Sequence, residues 1–311
     1  MVSVFGLGAR EGSAFMKSRV GSGQERERLI ELARCEAAEA ALRWRLPLSV
    51  RRWVGGTGGA RGVRMGNSLE FEDHRRYVIG DDLRHMNWNV YARTGQQVLK
   101  VFREEVSPNV DVLVDGSRSM ALTNRKETVV RAIAGWAAMA GTGQGASVRC
   151  WCARARTVEP IVGDVVGAVS FSGFSDAQET GALALDVPWR GGAMRVVVTD
   201  CLWPGDPGAW LSSLARNASQ VLLVVPFVPE ESDPAWSGSV EMKDCETGVQ
   251  RLQRVDRRGA ERYRSAYQEH FRLWQDEARR RGVLIGRIPC ADALCEAFAR
   301  ECLLAGVVEA R

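Results

Sequence analysis

Apolar residues along the chain repeat with two different periods, and the change from one to the other marks out most of its elements. From Glu25 to about Trp44 the segment ERERLIELARCEAAEAALRW has helical spacing, with Leu29, Leu32, Ala33, Ala37 and Ala40 on one stripe, and Pro47 ends it. NVDVLVD (109–115), ASVRCWCA (146–153), MRVVVTD (194–200), QVLLVVPFV (220–228) and VLIGRI (283–288) are short apolar runs rich in β-branched residues, as strands require. Between them lie helical patterns: the alanine-rich RKETVVRAIAGWAAMA (125–140), a helix over Gly208–Ala218, the amphipathic 259–281 and a final helix in ADALCEAFARECLLAG. GSVEMKDCETGVQRLQRV reads as a hairpin, QVLKVFREEV alternates as a strand does, and residues 160–186 give no clear period. Unbroken β-branched runs alternating with helices predict an α/β fold: an open, mostly parallel Rossmann-type sheet with helices on both faces.

Other stretches depart from this pattern. Residues 1–24 are rich in Gly and Ser and read as a flexible tail. The glycine-rich GGTGGARGVRMGNS lacks the Lys-Ser or Lys-Thr of a P-loop and follows no apolar strand, so it gives little support to phosphate binding. Residues 69–105 interleave charges of both signs with Phe71, Tyr77, Trp88 and Tyr91, too aromatic for a disordered charge run, and Gly80-Asp81-Asp82 reads as a turn. The expected organisation is a tail (1–24), a region at 25–105 packed on the sheet, and the α/β domain at 106–311.

Composition narrows the function classes. The chain has 311 residues, 45% hydrophobic and 26% charged, with a net charge of +4 from 42 basic and 38 acidic residues. So small an excess gives no reason to expect nucleic acid as a partner. No stretch approaches the length of a membrane-spanning helix, and the first residues do not form a secretory leader, so a cytoplasmic protein with reduced thiols is expected. Cys150 and Cys152 alternate onto one face of a strand and, with no matching pair elsewhere, read as core residues rather than metal ligands.

Two strands end in carboxylates, Asp115 and Asp200, and the first runs straight into Gly116-Ser117-Arg118-Ser119-Met120. In open parallel sheets ligands collect beyond the carboxyl ends of strands, near the topological switch point. Asp, Ser and Ser in alternate positions can point three oxygens at one spot, and neutral hydroxyls would leave a Mg²⁺ or Mn²⁺ ion underneutralised and open to one more acidic ligand. The same residues could instead cap the following helix.

DGSRSM resembles the metal-ion-dependent adhesion site of von Willebrand factor A domains. The resemblance implies that Ser117 and Ser119 ligate the ion directly, that Asp115 and Asp200 act through water or hydrogen bonds, and that a Thr completes the set. Thr180 is the best candidate for it, with Ser175 second. The segment GNSLEFEDHRRYVIGDDLRHMNWNVYARTGQQVLKVFREE is similar to the signature of the bacterial "domain of unknown function 58" family, through Glu70, Phe71, Arg76, Tyr77, Gly80, Asp81, Asp82, Arg84, Trp88, Ala92 and Arg93. Arg61 and Arg64 stand where that family often has a His. The likeness extends over about 26–305.

The resemblance implies a protein-binding adaptor, not an enzyme, working with a MoxR-type AAA+ ATPase. The alternatives are a metal-dependent hydrolase, for which Asp206 is the nearest extra carboxylate, and a scaffold with a dead metal site. The signature itself reads either as a docking surface or as a scaffold, in which Arg76, Arg84 and Arg93 hold Asp81 and Asp82 while Tyr77 and Trp88 pack.

Overall fold

The structure, a computed structural model, describes residues 7–8, 23–48, 69–79, 82–104, 107–154, 157–171, 186–203 and 205–311. Contacts divide the chain into two units, one of residues 1–48 with 109–311 and one of residues 49–108. In chain order the strands are β1 (Leu7–Gly8), β2 (Trp44–Arg45), β3 (Leu69–Arg76), β4 (Val98–Glu104), β5 (Asn109–Asp115), β6 (Ser147–Arg154), β7 (Thr157–Ile161), β8 (Met194–Val198), β9 (Gln220–Phe227), β10 (Gly238–Lys243), β11 (Gln250–Val255), β12 (Val283–Pro289) and β13 (Glu309–Ala310). The helices are α1 (Gly23–Arg43), α2 (Trp88–Thr94), α3 (Asn124–Gly143), α4 (Val165–Ala168), α5 (Pro207–Ala215), α6 (Pro229–Ser232), α7 (Arg257–Arg280) and α8 (Leu294–Ala297).

The larger unit is built on a six-stranded sheet of order β12-β9-β8-β5-β6-β7, parallel except for the edge strand β7. Alternation along the strands serves both faces. Val110, Val112 and Val114 of β5, with Val196, Val198, Leu222 and Val224, face a core completed by α1, α3 and α8. Leu113, Val197, Val221, Leu223 and Val225 face a second core built with α5 and α7. The expected α/β architecture is therefore present, with helices on both faces of a mostly parallel sheet.

Chain order and sheet order together create the crevice. From β5 the chain moves outward through α3 to β6 and β7. It then returns to β8, on the other side of β5, and moves outward the opposite way through α5 to β9. Loops leaving β5 and β8 thus diverge, and the gap between the carboxyl ends of these two strands is the switch point at which such folds bind ligands.

Several elements differ from expectation. The stripe expected on α1 is buried only in part: Ala33, Ala37, Ala40 and Ala41 are buried, whereas Leu32 is 48% exposed. A buried face of alanines permits close approach to α3, where a Cβ at Gly135 would lie 3.0 Å from the Ala37 Cβ. The final helix is one turn of α-helix, α8, continued as a wider π turn over Phe298–Cys302. Edge strand β7 carries no alternation and includes Pro160, which a strand tolerates at a sheet edge. Cys150 and Cys152 are core residues as expected, and none of the eight cysteines forms a disulfide. Except for Leu7–Gly8, which pairs with β10, and the start of α1, the expected tail lies outside the described residues.

The smaller unit contains the antiparallel pair β3–β4, with a register shift at Phe71–Asp73, and the short helix α2. Asn87 caps α2 through its side chain, and Gly95, at φ +69°, ends it in the left-handed conformation that glycine adopts without strain.

Candidate functional site

At the end of β5, Asp115 turns back on its own loop. Its Oδ1 accepts from the Ser117 amide at 2.9 Å, and its Oδ2 accepts from the Thr199 hydroxyl at 2.7 Å, just past β8. That second bond ties the two strand tips together across the switch point. Ser117 and Ser119 are both buried, and their hydroxyls hydrogen-bond to each other with the Oγ atoms 2.9 Å apart. The loop can fold this tightly because residue 116 is glycine: a Cβ there would lie 2.8 Å from Cys152 Sγ and 2.9 Å from the carbonyl oxygens of Ala153 and Ser170. Gly116→Ala is expected to destabilise the protein by about 1–3 kcal/mol through this overpacking, read as a lower urea midpoint.

Asp200 follows Thr199, and its Oδ1 accepts from the Leu202 amide at 3.2 Å. Its Oδ2 meets Lys126 Nζ at 3.2 Å, and the same ammonium lies 2.7 Å from Glu231 Oε1. All three side chains are buried, Lys126 completely. Burial alone would lower the Lys126 pKa, but the Glu231 and Asp200 carboxylates outweigh it and hold the ammonium protonated. Glu231 is pushed up by burial against the opposing pull of Lys126.

A fourth carboxylate comes from the turn between β10 and β11. Glu246 is 4% exposed; its Oε1 accepts from the Ser119 amide at 2.7 Å and its Oε2 from the Arg118 amide at 3.2 Å. Among the described residues neither Asp115 nor Glu246 meets a cationic side chain within ion-pair distance. Burial, followed by the charge of Asp200, pushes Asp115 up to about 6. Burial also pushes Glu246 up to about 7, opposed by its two backbone hydrogen bonds and reinforced by Asp115 and Asp200. The crevice thus holds more buried negative charge than Lys126 balances.

The structure therefore brings Asp115, Ser117, Ser119 and Asp200 together, while Thr180 and its alternative Ser175 lie outside the described residues. Sequence reasoning missed Thr199, Lys126, Glu231 and Glu246. Thr199 had a signal, sitting beside the strand-end aspartate. Lys126 and Glu231 did not, since a charged residue in a first helical turn reads as solvated. Asp206 caps α5 by accepting from the amides of Gly208 and Ala209, and His270 Nε2 lies 2.7 Å from the Cys201 carbonyl oxygen.

In the smaller unit, Asp82 accepts from the amide and guanidinium of Arg84 and caps the turn at Leu83–His85. Trp88 is 57% exposed and meets Tyr91 edge-on, and Tyr77 is half-buried. Arg76 and Arg93 are exposed, and Asp81 lies outside the described residues.

Residues 73–165, which include Arg76, Trp88 and Arg93 as well as the Asp115–Ser119 loop, match a family model described as "Protein of unknown function DUF58". This segment is similar to the DUF58 family. The DUF58 match spans the end of β3 through the start of α4, while Asp200, Glu231 and Glu246 fall beyond it. No curated protein matches the chain. A solved structure, the crystal structure of conserved hypothetical protein BatB from Bacteroides thetaiotaomicron, is similar over 64% of this chain and 98% of its own, at 11% identity and a TM-score of 0.33, too slight a likeness to carry anything across. No helix among the described residues is long and apolar enough to cross a membrane.

Proposed function

We propose that this chain is a protein-binding adaptor in which a divalent cation, Mg²⁺ or Mn²⁺, sits on the Asp115–Ser119 loop and captures an acidic side chain of a partner. The separation of the two serine hydroxyls carries the reading. Ligands on neighbouring corners of a Mg²⁺ octahedron stand about 2.9 Å apart, and Ser117 Oγ and Ser119 Oγ are 2.9 Å apart. Asp115 and Asp200 flank them with negative charge that no side chain fully balances, so a cation would lower the electrostatic cost of the crevice.

Among the described residues no three His, Cys, Asp or Glu side chains form a metal cluster by themselves. A cation here would depend on the hydroxyls, which leave it less neutralised than a carboxylate cage would and keep its affinity for an outside carboxylate high. The cation would supply a Lewis-acidic point of attachment. The chain's own residues supply the rest: Asp115 and Thr199 hold the two strand tips together, and Lys126 orients Asp200. The partner proposed is a MoxR-type AAA+ ATPase, on the family resemblance of the DUF58 segment.

A hydrolase would need a base free to take a proton from water. Asp206 is committed to capping α5, and both oxygens of Glu246 already accept from backbone amides, which favours binding over catalysis.

Isothermal calorimetry is the direct test. The double variant Ser117→Ala/Ser119→Ala is expected to lose Mg²⁺ and Mn²⁺ binding at least tenfold while its thermal unfolding stays close to that of the parent. Co-purification with the purified ATPase is expected to need Mg²⁺ and to fail for Asp115→Ala. Unchanged metal binding in the serine variant would remove the basis of the proposal.

A further inference from the structure

The tip of a surface hairpin is an unusual place for a buried carboxylate. Strand β11 is exposed along most of its length, and the β10–β11 hairpin is anchored by a small apolar cluster of Val240, Met242, Val255 and Ala260. Glu246, at its tip, is nonetheless 4% exposed. The turn is built to present it: Asp244 Oδ1 accepts from the amides of Glu246 at 2.8 Å and Thr247 at 3.1 Å, and the Gly248 amide donates to the Asp244 carbonyl at 2.8 Å. Gly248 then reverses the chain at φ +75°. The side chain reaches a loop 127 residues away and takes up two of its backbone donors, on Arg118 and Ser119.

Like charges surround this seat. Asp115 and Asp200 both act on Glu246 by repulsion; Lys126 pairs with Asp200 at 3.2 Å, but among the described residues neither Asp115 nor Glu246 has a cationic side chain at ion-pair distance. A carboxylate that reaches into an acidic crevice and fastens to the cation-binding loop behaves as an acidic ligand does. We infer that Glu246 is the site's internal ligand, occupying the place of a partner's carboxylate, so that the hairpin turn must withdraw before an acidic protein segment binds. This rests on the cation-binding reading above. The small cluster under the hairpin suits such a movement, because an element with few buried apolar contacts opens at low cost.

Two measurements on the full chain separate this inference from that reading. Without metal, amide hydrogen exchange at Arg118 and Ser119 is expected to quicken at least tenfold in Glu246→Ala. With Mn²⁺ present, a hexaglutamate peptide is expected to bind Glu246→Ala at least tenfold more tightly than the parent, with Glu246→Gln in between. Should Glu246→Ala fail to fold, Glu246→Gln decides the same question. Equal peptide affinity in parent and variants that all bind Mn²⁺ overturns the internal ligand and leaves the cation site standing. Absence of Mn²⁺ binding in the parent and in both variants overturns the cation site instead, and hydrogen exchange then decides whether Glu246 holds the loop: unchanged rates would overturn that too.

Discussion

Lys126→Met is expected to cost the fold about 3–5 kcal/mol, the range found when one partner of a buried ion pair is removed. The loss arises less from the attraction given up than from what is left behind. Asp200 and Glu231 are buried beside each other's charge, and Lys126 is the cation that bridges them, at 3.2 and 2.7 Å. At roughly 2–4 °C per kcal/mol for a domain of this size, the melting temperature should fall by about 6–20 °C. Adding Glu231→Gln to the same chain removes one of the stranded charges and should recover part of the loss, which a double-mutant cycle measures directly. A cost below about 1 kcal/mol would mean that the three groups do not pair as described.

The second large effect concerns pH and metal together. In the absence of divalent ions the protein is expected to be more stable near about pH 5 than near about pH 8, against the usual direction for carboxylates held by ion pairs. Asp115 is raised to about 6 and Glu246 to about 7. Between about pH 4 and pH 7 the folded chain keeps protons that the unfolded chain has already released, so stability falls as pH rises. Above about pH 7 both groups are ionised in both states and the whole cost is present. For Asp115 alone, a rise from 3.8 to about 6 corresponds to about 3 kcal/mol. Excess Mg²⁺ or Mn²⁺ should abolish most of this dependence at about pH 8 by binding the folded state alone. Urea unfolding at the two pH values, with and without metal, provides the measurement. A metal-free protein that is more stable at the higher pH would contradict the description of the crevice.

Much of the architecture was legible along the chain. NVDVLVD, MRVVV and QVLLVVPF are mostly apolar and buried over nearly every position because both sheet faces are covered, and β-branched runs of that length have few other solutions in an α/β protein. Edge strand β7 was not legible: TVEPI is half solvated and only pairs because β6 lies beside it. The same division runs through the site. Asp115, Ser117 and Ser119 lie within five residues of one another, so their convergence is a property of a single turn. Asp200 could be added from its place at a strand end.

Local pattern determined the strand runs, the parallel α/β class and the Asp-x-Ser-x-Ser loop, because each depends on the periods of short segments and on turn chemistry within a few residues. Only tertiary structure decided that Lys126 is a buried cation between Asp200 and Glu231, and that Glu246 closes over the loop from a hairpin tip. Those groups are separated by 74 to 128 residues, and whether a charge is solvated or buried depends on what the rest of the chain lays over it.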